Sequence, residues 1–462
     1  MTSAQAFQYV QPSALTGAGL GLSTSGGTTA SGGRTDHPHF FSGLLTRAAP
    51  AAAGLLGLAD VARSRYHRPQ PTGLRDPVVT CNGDRLRLES FSACGGVYAR
   101  LDVLQDALDG EVVDLGTTNV DVNGPLREAL ARVGGDDPLH LAVGTGELVV
   151  TTLDGATVEK KVPLPDRWLR GFAEVQVIAS GFDLRAELPA AEAVRFVRGL
   201  PNDTGRGRGA GTLWATPAGR TLRLTPRPGP GAVCLAGTHR LATLLPLLRF
   251  ARALRVYGPP VAAGASPVAS AWELELPGMR YVLTLSPETS RGFSGEGAVL
   301  DDLAADETAA DADLVGALLA FEPRLDADLL AAGAGLTPAR THAALTQLGT
   351  SGRVGYDLAE AAHFHRELPY DPKRVAAMNP RLRAAHALVE AGAVRFEAPE
   401  LARVTTEEVR LVRLDGDRVS CTCPWWLDHR GGRGPCKHVL AVRIARNPAE
   451  ADAPSVSSEE RV

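Results

Sequence analysis

The stretch VRLVRLDGDRVSCTCPWWLDHRGGRGPCKHVLAVRIAR, Val409 to Arg446, holds three of the chain's six cysteines in the pattern C-x-C-x12-C-x-H. Val409 to Leu414 reads as a strand, Asp415-Gly416 as a tight turn, and Arg418 to Cys421 as the returning strand. That hairpin ends on Cys421-Thr422-Cys423-Pro424, and Cys436-Lys437-His438 opens a helix with Leu440 and Ile444 on one face. Two ligands two positions apart inside a helix would point about 200° away from each other, so Cys436 must precede the helix and His438 occupy its first turn. Cys421, Cys423, Cys436 and His438 make a closed Cys₃His shell suited to one structural Zn²⁺, because a catalytic zinc keeps a position open for water. The net negative thiolate cluster then lies beside a helix N-terminus, where the dipole favours it. His429 is the alternative fourth ligand, but it sits among Arg430, Gly431, Gly432 and Arg433 and reads as solvated.

These residues, with Cys-Pro after the first pair and Cys-Lys-His in the second, resemble the SWIM-type zinc finger, whose pattern is C-x-C, a variable spacer and C-x-H. The resemblance covers roughly residues 400–447. It implies the same four ligands and a finger that binds DNA or protein, as in chromatin-remodelling-type ATPases, transposases and signalling proteins. The wider chain is similar to stand-alone bacterial SWIM proteins. That similarity implies protein partners, a MoxR-type AAA+ ATPase or a von Willebrand A-domain protein among them.

Upstream, Asp301 to Gly335 carries nine acidic residues against one Arg, a shift that marks a boundary. Leu314, Leu318 and Phe321 suggest one helix stripe, and Leu325, Leu329 and Leu330 a second. Thr337-Pro338 starts a third helix, with its cap and first-turn proline in favoured places. Gly352 to Tyr356 suggests a strand and turn. Three helices and such a strand resemble a winged helix-turn-helix module. His363-Phe364-His365 follows an apparently helical Asp357 to Ala362, where its two imidazoles would diverge, so it reads as a surface pair.

Residues 36–300 read as α+β. Strands are expected at Val78 to Cys81, Arg85 to Glu89, Gly96 to Leu101, Leu148 to Leu153 and Thr157 to Val162, and another at Ala173 to Ala179. Strand pairs follow at Thr212 to Ala215 with Thr221 to Thr225, and at Ala271 to Leu276 with Arg280 to Leu285. Helices are expected within Phe40 to Tyr66, broken at Pro50, at Pro189 to Arg198, and from Thr238 to Arg252 with a kink at Pro246. Cys81 and Cys94 read as buried strand cysteines. A faint repeat divides the region into two units of hairpin and helix, 36–205 and 206–300. The organisation is therefore a Gly/Ser/Thr-rich tail (1–35) too poor in large apolar residues to order itself, the α+β region (36–300), an acidic linker with the winged-helix-like module (301–372), the zinc-finger domain (373–450) and a flexible tail (451–462).

The 462 residues, 44% hydrophobic and 22% charged, exclude wholesale disorder. The best apolar stretch, Ala51 to Ala62, is too short to span a bilayer and contains Asp60. With no secretory signal in view and cysteines clustered for metal, a cytoplasmic location is expected. No phosphate loop, dinucleotide fingerprint or nucleophile elbow occurs, so no enzyme is indicated. Charge balance over the chain (48 basic, 52 acidic) argues nothing about nucleic acid, but residues 373–446 hold 14 basic and 8 acidic residues. Arg430, Arg433 and Lys437 are the candidate phosphate contacts. Two readings follow: a zinc-stabilised protein-interaction or complex-assembly module, or a nucleic-acid-binding protein using that basic surface.

Overall fold

The structure is a computed structural model describing residues 8–9, 14–16, 19–21, 25–26, 39–66, 77–112, 114–120, 122–144, 146–161, 166–201, 212–293, 296–297, 300, 306–368, 379–415 and 418–446. The first half runs His39–Leu45 (β1), Ala48–Arg63 (α1), Val78–Cys81 (β2), Arg85–Phe91 (β3), Val97–Leu104 (β4), Leu108–Val112 (β5), Gly116–Asn119 (β6), Gly124–Arg132 (α2), His140–Gly144 (β7), Glu147–Thr152 (β8), Gly155–Lys160 (β9) and Asp166–Ser180 (α3). Then come Asp183–Pro189 (β10), Ala190–Arg198 (α4), Leu213–Ala218 (β11), Thr221–Thr225 (β12), Val233–Leu235 (β13), Ala253–Gly258 (β14), Ser270–Leu276 (β15) and Met279–Leu285 (β16). An antiparallel eight-stranded sheet in the order β6-β2-β3-β4-β16-β15-β14-β10 takes strands from both sides of residue 205. The strands of a five-stranded sheet (β9-β8-β7-β1-β5) and of a three-stranded one (β12-β11-β13) are interleaved with its own along the chain. The class is α+β, as the strand and helix signals indicated.

The alternation of the central strands explains their two faces. Leu86 and Leu88 on β3, Val97, Ala99, Leu101 and Val103 on β4, and Met279, Tyr281, Leu283 and Leu285 on β16 all enter one apolar core with α1. Helix α1 lies close to this face: a Cβ at Gly54 would meet the Leu101 side chain at 2.9 Å. The opposite face carries charge. Register places Arg87 opposite Asp102, Asp102 opposite Arg280, and Glu89 opposite Arg100. All five are buried, which outward-facing charges on a half-exposed sheet would not be.

Several local expectations give way. Residues 39–45 form β1, and Pro50 lies in the first turn of a single α1, where a missing amide costs nothing. Ala173 to Ala179 is part of α3, because Trp168, Phe172, Val175 and Ala179 recur at helical spacing and bury together. Thr238–Phe250 is a 3₁₀ helix with Pro246 inside, and Thr238 Oγ1 donates to the Pro201 carbonyl at 2.7 Å instead of capping. Cys81 is a buried strand residue, whereas Cys94 is half-buried in the β3–β4 turn. The Gly416 turn, the 451–462 tail and most of the 1–35 tail lie outside the described residues.

The next part comprises Asp306–Gly316 (α5), Ala327–Ala334 (α6), Pro338–Thr350 (α7), Val354–Asp357 (β17) and Ala362–His365 (β18), three helices and a hairpin. Thr337 caps α7 by accepting from the Arg340 amide, as its position foretold. Of the expected Leu314, Leu318 and Phe321 stripe only Phe321 is buried: Leu314 and Leu318 are 53% and 42% exposed, and α5 ends at Gly316 with Ala312 and Val315 buried instead. His363 and His365 are strand residues and buried, since β18 faces the charged side of the large sheet. There Asp357 Oδ2 accepts from Arg87 at 2.8 Å and from Arg280 at 2.7 Å, and Arg100 lies 3.3 Å from its other oxygen. Arg366 pairs with Glu89, and Asn82 donates to the His365 carbonyl at 2.7 Å. Gly355 leaves room for the Phe364 ring across the hairpin, and the Arg87 guanidinium stacks 3.9 Å from that ring's centre. No helix among the described residues is long and apolar enough to cross a membrane.

Candidate metal centre

The finger comprises Pro380–Glu390 (α8), Val394–Ala398 (β19), Leu401–Thr405 (β20), Val409–Asp415 (β21), Arg418–Cys421 (β22), Pro424–His429 (α9) and Lys437–Arg446 (α10). The four strands form one antiparallel sheet in sequence order, two more than the ligand hairpin alone suggested. Cys421 ends β22, Cys423 caps α9, and Cys436 stands one residue before α10, with His438 in that helix's first turn. The Trp426 amide donates to Cys423 Sγ at 3.4 Å and the Val439 amide to Cys436 Sγ at 3.5 Å. Two helix N-termini therefore aim amides at two thiolates, an arrangement that stabilises negative sulfur.

The ligand atoms of Cys421, Cys423, Cys436 and His438 all lie within 4.8 Å of one another, and the four residues are buried. His438 offers Nδ1, 3.9 Å from Cys421 Sγ and 4.0 Å from Cys436 Sγ. A tetrahedral ion with bonds of about 2.0–2.3 Å sets its ligand atoms somewhat under 4 Å apart, so the donor set fits zinc with slight contraction. Without an ion the thiols would share protons. A hydrogen bond from Cys421 holds the Cys436 thiol low, at about 4, against the opposing effect of burial. The hydrogen bond with Cys436 pushes Cys421 up, with burial adding to it, and burial pushes Cys423 up. Zinc removes all these protons, so its hold weakens as pH falls. Once bound, the ion supplies cross-linking of the sheet end to two helix starts.

The surrounding core is small: Val404, Val412, Leu414, Val439 and Val442 with the three cysteines, and Trp425 and Trp426 packed alongside. His429 is not drawn into the ligand set; its ring lies 4.3 Å edge-on from Trp425. The three candidate phosphate contacts part company. Arg433 folds inward, its guanidinium 4.9 Å from the Trp425 ring centre, while Arg430 and Lys437 are exposed. They also line different clefts, Lys437 one of about 390 Å³ beside the ligands and Arg430 one of about 320 Å³ with Arg443. Sequence reasoning missed Arg381 on α8. It sits 4.7 Å from the Trp425 ring centre and donates to the carbonyls of Arg433 at 2.5 Å and Pro435 at 3.1 Å, tying the spacer loop down. Its distance in sequence from the ligands hides that role.

A buried, fully furnished Cys₃His set between a sheet and two helix starts defines a structural zinc finger. The family model of the SWIM zinc finger matches residues 411–447, and the chain carries a SWIM-type zinc finger holding one structural zinc. No curated protein matches the chain. Among solved structures, a proliferating cellular nuclear antigen from Entamoeba histolytica (10% identity, TM-score 0.34) and a PCNA2–PCNA3 complex from Sulfolobus tokodaii (9%, 0.36) each align with 54% of this chain and 100% of their own. Likeness at that level carries no argument about this chain.

Proposed function

We propose that the chain is a complex-assembly protein that docks onto protein partners, with zinc as scaffold and not reagent. The observation that supports this best is a group of exposed leucines on the winged-helix-like module. Leu314 lies near the end of α5 and Leu318 two residues past it, Leu318 Cδ1 would lie 3.1 Å from a Cβ at Gly333, and Leu329 sits one turn before Gly333. The three leucines are 53%, 42% and 71% exposed, and Asp313, Asp326 and Asp328 are exposed beside them. Exposed leucines rimmed by carboxylates suit a partner face that is apolar and basic, and the carboxylates repel phosphates. On α7, the helix a winged-helix protein would lay in a groove, Arg340 is held by Asp311 through Nε at 2.7 Å and through Nη2 at 2.5 Å. That leaves few cations for a duplex.

The exposed Arg430 and Lys437 favour a second reading, nucleic-acid contact through the finger. The two separate cleanly. Full-length protein and its Leu314→Asp/Leu329→Asp variant are used as baits in quantitative affinity purification, and duplex and single-stranded DNA are titrated at several salt concentrations. AAA+ ATPases and von Willebrand A-domain proteins are the first partners to assay. Partners lost with the variant, and no DNA binding at low salt, are the expected result. DNA binding with a steep salt slope, and partners indifferent to the leucines, would overturn it.

A further inference from the structure

Two surfaces of this chain answer each other's chemistry. The first is the cleft of about 390 Å³ beside the zinc ligands. Pro380 and Ala384 of α8 with Pro424 and Trp425 of α9 give it apolar walls, and Arg381, Arg410 and Lys437 give it charge. No carboxylate lines it among the described residues. The cleft of about 520 Å³ at Arg85 and Arg280 differs on this point, because Asp84, Asp106 and Glu360 line it as well. Lys437 is exposed and forms no ion pair with a described residue. Arg410 pairs only with Glu408, whose side chain is 68% exposed. The indole N–H of Trp425 is buried without an acceptor among the described residues. The cleft thus offers donors and apolar surface, and its ligand must bring the carboxylates.

The second surface is the start of α6. Leu329 is 71% exposed, and Asp326 and Asp328 are exposed beside it. The Asp326 carboxylate accepts the amides of Asp328 and Leu329 at 3.0 Å each, which fixes the turn that displays them. An apolar side chain stands there between two carboxylates, which is the chemistry the cleft lacks. The cleft lies at the small end of the range for binding pockets, about 300–1,000 Å³, and so suits one or two side chains. Nucleic acid suits it less. The Trp425 ring already has the guanidiniums of Arg381 and Arg433 and the edge of His429 against it, so it is no open platform for a base.

We propose that the chain associates with a second copy of itself, Leu329 of one copy seating in the zinc-side cleft of the other while Asp326 and Asp328 meet Lys437 and Arg410. Leucine burial supplies attraction, and the opposite charges set which patches meet. The contact joins two different patches, so copies exchange it reciprocally as a pair or pass it on head to tail. It rests on the leucines being a docking face, as in the function proposed above, and names what they dock into.

The test follows zinc-loaded full-length protein by sedimentation equilibrium at rising concentration and at two ionic strengths, with zinc content measured alongside. Association is expected at low salt, weakening at high salt. Leu329→Asp and Lys437→Glu are each expected to weaken it at least about tenfold with one equivalent of zinc retained. Where Lys437→Glu loses zinc, Ala384→Trp fills the cleft in its place. Mixing the two variants is the decisive arm. One keeps an intact cleft and the other an intact leucine, so the mixture is expected to form dimers that neither forms alone. Monomers at every concentration, association that either variant leaves unchanged, or a mixture no more associated than its parts would overturn the proposal. Because only purified protein is used, each of those results leaves capture of other partners by the leucines standing.

Discussion

Two buried polar centres hold this molecule together, and they are built on opposite plans. The zinc centre gathers four ligands from an eighteen-residue stretch, Cys421 to His438, around an ion that the chain does not encode. The second centre joins Arg87, Arg100, Asp102 and Arg280 on the large sheet to Asp357 on the hairpin above it, and needs no ion. In the first, metal binding stands in for a core too small to fold alone. In the second, strand register sets opposite charges face to face, and the surrounding apolar faces provide the stability. Local chemistry fixes one; long-range topology fixes the other.

The contrast breaks most sharply at the metal. Cys436→Ser or His438→Ala is expected to abolish zinc retention and unfold residues 394–446, a loss on the order of 10 kcal/mol of binding-linked stability. Residues 85–104 should keep their amide protection. Zinc content by mass spectrometry and region-resolved hydrogen exchange check both halves of this expectation; one equivalent of zinc retained by either variant would contradict it.

Asp357→Asn attacks the other centre. Removing one charge leaves Arg87, Arg100 and Arg280 under-compensated in a buried site, at a cost of about 3–5 kcal/mol read by denaturant unfolding. The guanidiniums of Arg100, Arg87 and Arg280 hold the Asp357 carboxyl well below the usual carboxylate range despite its burial. A depressed carboxylate contributes fully above its unfolded pKa of about 3.9 and is lost only as pH falls below that value toward its folded one. This part of the fold should therefore hold at mildly acidic pH, where thiolate ligands already begin to compete with protons for zinc.

A smaller effect sharpens the same comparison. Burial, with the nearby charge of His342, lowers His363 to about 4. Its neutral form is the native one, so its contribution is intact above the ordinary value of about 6.5 and is lost between there and the folded value, on the order of 3 kcal/mol in all. His363→Gln should flatten the pH dependence of unfolding across that window. Smallest of all, Leu329→Asp, at a site 71% exposed, should leave stability within about 0.5 kcal/mol while removing partner binding.

The same difference decides what the residues disclosed on their own. C-x-C and C-x-H announce their chemistry because each ligand's reach is short and the spacing admits one helix start. The strands on either side of Asp154-Gly155 and the strand pair at Ser270–Leu285 were legible from alternation. The alternation Arg85-Leu86-Arg87-Leu88-Glu89 was legible as a strand, but not that its charged side would be covered. Covering it takes Asp357 and Arg366, residues that lie some 270 positions on and carry no local sign of their role. Leu314 and Leu318 misled for the converse reason: apolar residues at helical spacing imply a buried face only when something is there to cover it.

The row Arg87–Asp102–Arg280, closed above by Asp357, also constrains descent. A change at one of these four positions leaves the other three worse off, so tolerated replacements must arrive together, and related chains should show these positions either held as a set or exchanged as a set.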